Sequence, residues 1–297
     1  MYTALLTLWS AQHLPSSQAI TNVNDASGAP VDIEDASRLV VLGGSLTEIV
    51  FALGAGDRVV GVDASSTYPE AVDQLQKVSY HRRLAAEGVL SLSPTLVIAT
   101  TEAGPPEALQ QLQSAGVTVL ILPHEPSAAS AVGRIRSLAR ALDVEVRGEA
   151  LVQALERDLE RAGKTSSDKP VKVLFIYARG QGTLMVAGQE TAADRMMELA
   201  GGINAVRGYT GYKPLTAEAV VAAAPEAVLV MDSGLESVGG EAGLWKLAGM
   251  ALTPAGAEGR LVSMNGLLLL GFGPRLGEAA VALNQSLYPR ELVQRKK

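Results

Sequence analysis

Tyr80, His81 and Arg82 stand in a row in a loop that leads into an Ala-Glu-Gly segment. A phenol titrates near ~10 and a neighbouring guanidinium favours the phenolate, so Tyr80 with Arg82 two positions on offers an anionic oxygen. Read alone, the same tyrosine could simply pack with its hydroxyl hydrogen-bonded. His81 adds an imidazole, a frequent metal ligand, and is one of three histidines with His13 and His124. Adjacent residues of an extended loop generally point apart, so Tyr80 and His81 are not expected to serve one ligand atom together. Arg179, after Tyr177, has the planar fork that pairs with a carboxylate. Arg275, behind Gly-Phe-Gly-Pro, is either another such contact or a salt bridge to the terminal helix. Tyr68, Tyr209 and Tyr212 are weaker candidates of the same kind.

The elements that must hold these side chains repeat. Residues 85 to 100 read AAEGVLSLSPTLVIAT and residues 216 to 231 read TAEAVVAAAPEAVLVM, so Ala86, Glu87, Val89, Pro94 and Val97 recur as Ala217, Glu218, Val220, Pro225 and Val228. Each copy is a short helix opening on Ala-Glu, a proline stop and an apolar strand. Glu87 and Glu218 are thus a matched pair of carboxylates, in places where the helix macrodipole alone also favours glutamate. Around them strands alternate with helices, which predicts parallel α/β sheets in two related lobes. The organisation expected is a leader over 1–36, a first lobe over 37–145, a long bridging helix and linker over 146–168 and a second lobe over 169–297. Ser45 with Glu48 three residues on has capping-box spacing for the first helix. A cleft between two lobes is a common place to hold a small molecule.

Composition narrows the classes. The 297 residues carry 25 basic and 31 acidic side chains, a net charge of -6, with no broad basic footprint for nucleic acid. There is no cysteine, which removes disulfides, thiolate catalysis and Cys-ligated metals. VLGGSLTEI lacks both the G-x-G-x-x-G fingerprint and a P-loop lysine. With no converging acid, base and nucleophile, a nucleotide-dependent α/β enzyme is the minor alternative and a binding protein the main reading. The apolar run through Trp9 is too brief to span a bilayer and is similar to the apolar part of an export signal, though no Lys or Arg precedes Arg38. The polar stretch to Asp35 reads as a disordered leader.

Four separated segments, VVLGGSLTEIVFALGAGDRVVGVD, VSYHRRLAAEGVLSLSPTLVIA, MVAGQETAADRMMELAGG and LLGFGPR, together resemble the substrate-binding proteins of bacterial haem ABC importers, a subgroup of the cluster that also binds cobalamin and ferric siderophores. The resemblance spans roughly residues 38 to 290. It implies two α/β lobes joined by one rigid helix, one or two haems taken up between them, and delivery by an exported, periplasmic monomer to a membrane permease and its ATPase. It makes Tyr80 the axial ligand, in a Ser79-Tyr80-His81-Arg82 version of the family's Gly-Tyr-x-Arg, with Arg82 its charge partner. His81 is then expected to stack on the porphyrin or face solvent, Tyr177 to be a distal or second-haem ligand, Arg179 and Arg275 to meet propionates, and Glu87 and Glu218 to meet permease arginines. Where some members carry a histidine after the first strand of the second lobe, FIYARGQGT has none. Cobalamin and ferric siderophores are the rival ligands on the same scaffold.

Overall fold

The computed structural model describes residues 21–164, 169–179 and 184–289; His13 and the apolar run through Trp9 lie outside them. The first described elements correct the expected disordered leader. Strands β1 (Thr21–Asn24) and β2 (Pro30–Ile33) form an antiparallel hairpin. Its turn is tied by the Asp25 carboxylate, which accepts from the amides of Ser27 and Ala29. Val23 and Ile33, each 3% exposed, anchor this otherwise polar segment in the core.

The first lobe then runs β3 (Leu39–Leu42), α1 (Gly44–Ala52), β4 (Val59–Val62), β5 (Gln76–Lys77), α2 (Ala86–Leu90), β6 (Leu96–Thr100), α3 (Pro106–Ser114), β7 (Thr118–Leu122) and α4 (Ala128–Ala141). Its sheet has the order β5-β4-β3-β6-β7, all parallel. Helix α5 (Glu145–Lys164) leads to the second lobe and packs against α4. There follow β8 (Lys172–Ala178), β9 (Leu184–Ala187), α6 (Ala192–Leu199), β10 (Ile203–Asn204), β11 (Tyr212–Pro214), α7 (Ala217–Ala223), β12 (Ala227–Met231), α8 (Asp232–Ser237), α9 (Gly240–Trp245), α10 (Pro254–Glu258), β13 (Leu261–Met264), α11 (Gly266–Leu270) and α12 (Leu276–Leu287). The order here is β11-β9-β8-β12-β13, with β10 beside β8. Strands β12 and β13 run parallel to β8, whereas β9 is antiparallel to it. The two repeat copies occupy matching places: α2-β6 and α7-β12 each put their strand beside the first strand of their own central sheet.

The central strands are apolar on both faces because both faces are covered. In β3, Leu39 and Val41 enter a central core while Val40 and Leu42 enter an outer one. In β8, Val173 and Phe175 enter that same central core, and Leu174 and Ile176 a third cluster on the far side. One hydrophobic layer, to which Leu46, Ile49, Ile135, Leu155, Met196 and Leu276 contribute, therefore runs through both lobes.

Two arginines cross the joint. Glu48 of α1, 4% exposed, accepts from Arg275 Nη2 at 2.6 Å and Nε at 2.8 Å, ahead of α12 in the other lobe. This corrects the capping box: α1 starts at Gly44 with Gly43 as its cap and no side-chain cap bond, Ser45 is buried, and Glu48 reaches across the lobes. Arg275 does make a salt bridge, to Glu48 of α1. Arg134 of α4, 1% exposed, donates through Nη2 to the Phe272 carbonyl at 2.7 Å and through Nη1 to the Pro123 carbonyl at 2.9 Å. Burial lowers its pKa to about 10, the Glu125 carboxylate offsetting only part of the effect.

Arg275→Ala leaves the Glu48 carboxylate buried and unpaired, so it should lower unfolding stability by about 3 kcal/mol. Urea denaturation reads this as a lower midpoint at unchanged slope, and an unshifted midpoint removes the clamp from the account of the joint.

Candidate functional site

In open α/β sheets ligands lie outside the carboxyl ends of the strands, and here the segments after β4 and β6 and the end of β8 carry the candidate side chains, with Arg82 of the first lobe in electrostatic reach of Tyr177 of the second. The segment after β4 builds the first wall of the site. The Asp63 carboxylate, fully buried, accepts from the Gly43 amide at 2.9 Å, the Ser65 amide at 3.1 Å and the Ser66 hydroxyl at 3.0 Å. It also takes the His81 ring through Nδ1 at 2.7 Å and the His81 amide at 3.3 Å. Burial by itself would raise this carboxyl, but the donors from His81 and Ser65 outweigh it and hold the pKa at about 2. An ionised Asp63 fixes the His81 proton on Nδ1.

His81 is thus structural: its ring is buried, not facing solvent, and bonded to Asp63. Nor do the neighbouring rings point apart. Tyr80 and His81 pack with centroids 4.5 Å apart at 57°. The anchored imidazole forms a shelf for Tyr80, whose side chain is left exposed at the cleft. Ser79, just before it, has φ +93°, a backbone region that suits glycine.

Arg82 also has a fixed partner. Its guanidinium donates to Glu102, at the end of β6, and this raises its pKa. The Glu102 carboxylate also lies 3.2 Å from His124 Nε2 and 3.9 Å from His81 Nε2. Burial lowers the His124 pKa despite that carboxylate. The Arg82 charge remains within electrostatic reach of two tyrosines, Tyr80 on its own lobe and Tyr177 on the other.

The opposite wall comes from the second sheet. Tyr177 near the end of β8 packs on Tyr212 of β11, with centroids 5.8 Å apart, and the Arg179 guanidinium lies 5.3 Å over the Tyr177 ring. Tyr209 is directed elsewhere, its hydroxyl bonded to the Val186 carbonyl. The Arg275 guanidinium stacks 3.6 Å over Tyr68, so the interlobe clamp also props a tyrosine. Glu87 and Glu218 are exposed on the first turns of α2 and α7. The structure thus brings Tyr80, Arg82 and Tyr177 together, and puts His81 behind them. The sequence reading missed Asp63 and Glu102. Asp63 carried a faint signal, an acid followed by Ser65 and Ser66 at the end of a strand, while Glu102 carried none.

No metal-ligating group of three or more His, Cys, Asp or Glu occurs among the described residues, and no helix among them is long and apolar enough to cross a membrane. What the fold offers is a two-lobed receptor with a tyrosine- and arginine-lined cleft. Residues 39–266 match the family described as periplasmic binding protein, and the chain belongs to that family. It is similar to the periplasmic heme-binding protein RhuT from Roseiflexus sp. RS-1, at 47% identity and TM-score 0.82 over 86% of this chain and 98% of that one. The periplasmic heme-binding protein BhuT, solved with two hemes, gives 46% identity and TM-score 0.80 over 84% and 97%. An uncharacterized ABC transporter substrate-binding lipoprotein, YvrC of Bacillus subtilis, is 32% identical over 71% of this chain and 68% of its own length. A vitamin B12-binding protein of Vibrio parahaemolyticus is 24% identical over 66% and 70%.

Two predictions concern the wall around Tyr80. Asp63, held at about 2 when folded against 3.8 ordinarily, contributes stability that is present above the unfolded value and lost as pH falls through it towards 2. The loss should reach about 2 kcal/mol, and be absent in Asp63→Asn, when urea midpoints are followed from pH 6 to about pH 2. Ser79→Gly relieves a positive φ and should raise stability by about 1 kcal/mol, whereas an equal loss would mean that the serine hydroxyl holds the loop.

Proposed function

We propose that this chain captures haem in the interlobe cleft and hands it to the permease of an ABC importer. The observation that carries this reading is the exposed Tyr80 side chain, packed on a ring shelf anchored by Asp63, with Arg82 beside it. Ferric haem takes an anionic oxygen as axial ligand, and tyrosinate is one such ligand. Arg82 supplies the neighbouring positive charge. Across the cleft, Tyr177 and Tyr212 offer aromatic faces to a flat macrocycle, and Arg179 a fork for a propionate. Arg275, already paired with Glu48, contributes by propping Tyr68. The likeness to heme-binding structures at 46–47% identity, against 24% for the vitamin B12-binding relative, supports haem over cobalamin. A ferric siderophore is an anionic chelate that calls for several free cations, and here Arg82 and Arg275 are each held by a glutamate.

The cleft has a tyrosine wall on each side, and the proposal therefore covers one or two haems per chain. It also places the chain in the periplasm as a monomer, exchanging cargo without a catalytic step. Glu87 and Glu218 then meet arginines of the permease, and its ATPase drives transport. Matched carboxylates on two lobe tips give orientation and on-rate through long-range attraction.

Haemin titration with visible spectra tests the reading. The parent should give a saturable high-spin ferric spectrum of tyrosinate type, its endpoint counting the haems. Tyr80→Ala should lose that spectrum, while Arg82→Ala should keep it with affinity reduced about tenfold. No saturable change in the parent would set haem aside and send the same cleft to cobalamin and ferric siderophores.

A further inference from the structure

The outer core of the second lobe is open on one side. Between the β8-β9 face, α7 and the segment from 205 to 216 lies a cavity of about 420 Å³. Its floor is made of Leu174, Val186 and Val220, which belong to the buried core itself, and Tyr209 forms a side wall. The Tyr209 hydroxyl is used by the Val186 carbonyl at 3.0 Å, so the ring presents an apolar surface. Ala219, Ala222 and Ala223 of α7 complete the lining with small side chains, leaving the space unfilled. At the mouth stand Arg207 and Lys213, both exposed and neither in an ion pair among the described residues; Lys213 Nζ lies 4.5 Å over the Tyr209 ring.

Helix α7 also carries Glu218, likewise without an ion pair, and Val221 follows it at i+3 on the same exposed face. The 3₁₀ turn Met250–Leu252 packs beside the start of α7, where Gly249 meets Ala217 too closely for a Cβ. That turn exposes Leu252 at 78%. The Glu218 carboxylate therefore stands among apolar surface, with an unfilled apolar cavity on the neighbouring helix face and two unpaired cations beyond it. A charge so placed is one that a partner can desolvate, as at the centre of protein interfaces.

We propose that this cavity is a docking socket for the permease, and the inference rests on the reading of Glu218 as a docking carboxylate. The occupant is an apolar side chain on a permease loop that also carries a basic residue for Glu218 and an acidic residue for Arg207 and Lys213. The alternation negative, apolar, positive across the tip gives the contact a direction along α7. It is a polypeptide pattern: haem would need an axial oxygen here, and of the two hydroxyls in the cavity wall Tyr209's is given to the Val186 carbonyl while Thr216's caps α7 by accepting from the Ala219 amide.

The experiment measures binding of the haem-loaded chain to its cognate permease-ATPase complex in nanodiscs, with empty nanodiscs as control. Ala222→Trp fills the socket from an exposed helix position and should weaken binding at least about tenfold, mainly through faster dissociation, while haemin titration is unchanged. Arg207→Glu should weaken it about threefold or more, in a salt-dependent way through slower association. Parent-like binding by Ala222→Trp, when Glu218→Ala is impaired, overturns the socket and leaves the docking carboxylate standing. Parent-like binding by both variants overturns the docking reading of this tip as well. Binding to empty nanodiscs, or saturable uptake of cis-parinarate that Ala222→Trp abolishes without affecting the permease, assigns the cavity to lipid and likewise overturns the proposal.

Discussion

The geometry of the cleft depends on one buried anion. Asp63 sits at the end of β4 with no access to water and is met by the α1 amino-terminal amide, the amide and hydroxyl of Ser65, the Ser66 hydroxyl and the ring and amide of His81. An ionised carboxylate is tolerable in such a place only when its lone pairs are satisfied, and a helix amino terminus adds favourable potential. Satisfying it fixes three segments relative to one another: α1, the serine turn and the loop of Tyr80. The imidazole is the intermediary, since its proton and ring plane follow from Asp63 and the Tyr80 ring packs on that plane. A strained Ser79 persists there because the surroundings over-determine the loop.

A second layer of constraint lies at the joint between the sheets. Inner faces of both contribute to a single apolar layer, and the polar ties across it converge on one short turn, at the Phe272 carbonyl and the Arg275 guanidinium. Their partners, Arg134 and Glu48, come from different helices of the other lobe. Arg134 is held by two backbone carbonyls and the Ser130 hydroxyl, with no ion pair among the described residues. On the cleft side the clamp continues through the Arg275 stack on Tyr68. Packing, ion pair and ligand wall are thus one continuous structure.

Much of this was legible in the residues. The Ala-Glu, proline, apolar-strand repeat gave two lobes, and its copies stand at matching sheet positions. LGAG and LAGG close α1 and α6, where Gly54 and Gly201 adopt φ of +77° and +76°. Local pattern failed where an element is held by distant residues. The hairpin at 21–33 is polar in sequence and ordered by only two apolar anchors. Glu48 has the spacing of a capping residue, yet its partner is 227 positions away. His81 reads as a ring free to stack or face solvent because Asp63, 18 positions earlier, reads as nothing in particular. GLLLLG reads as a loop but makes a turn of helix, since Asn265 caps it with bonds to Leu267 and Leu268.

The shared inner layer has a consequence for how tightly such a cleft can hold its cargo. A receptor hinged open when empty uses part of the interaction with its ligand to shift its own population towards the closed form, and its apparent affinity falls by that fraction. Lobes fused through one apolar layer and two arginine ties would expose that layer on separating, a cost that works against an opened form and leaves the contacts at the tyrosine walls less discounted as affinity. The same preorganisation makes unloading difficult from within. On the proposed function, discharge is work done on this joint from outside it.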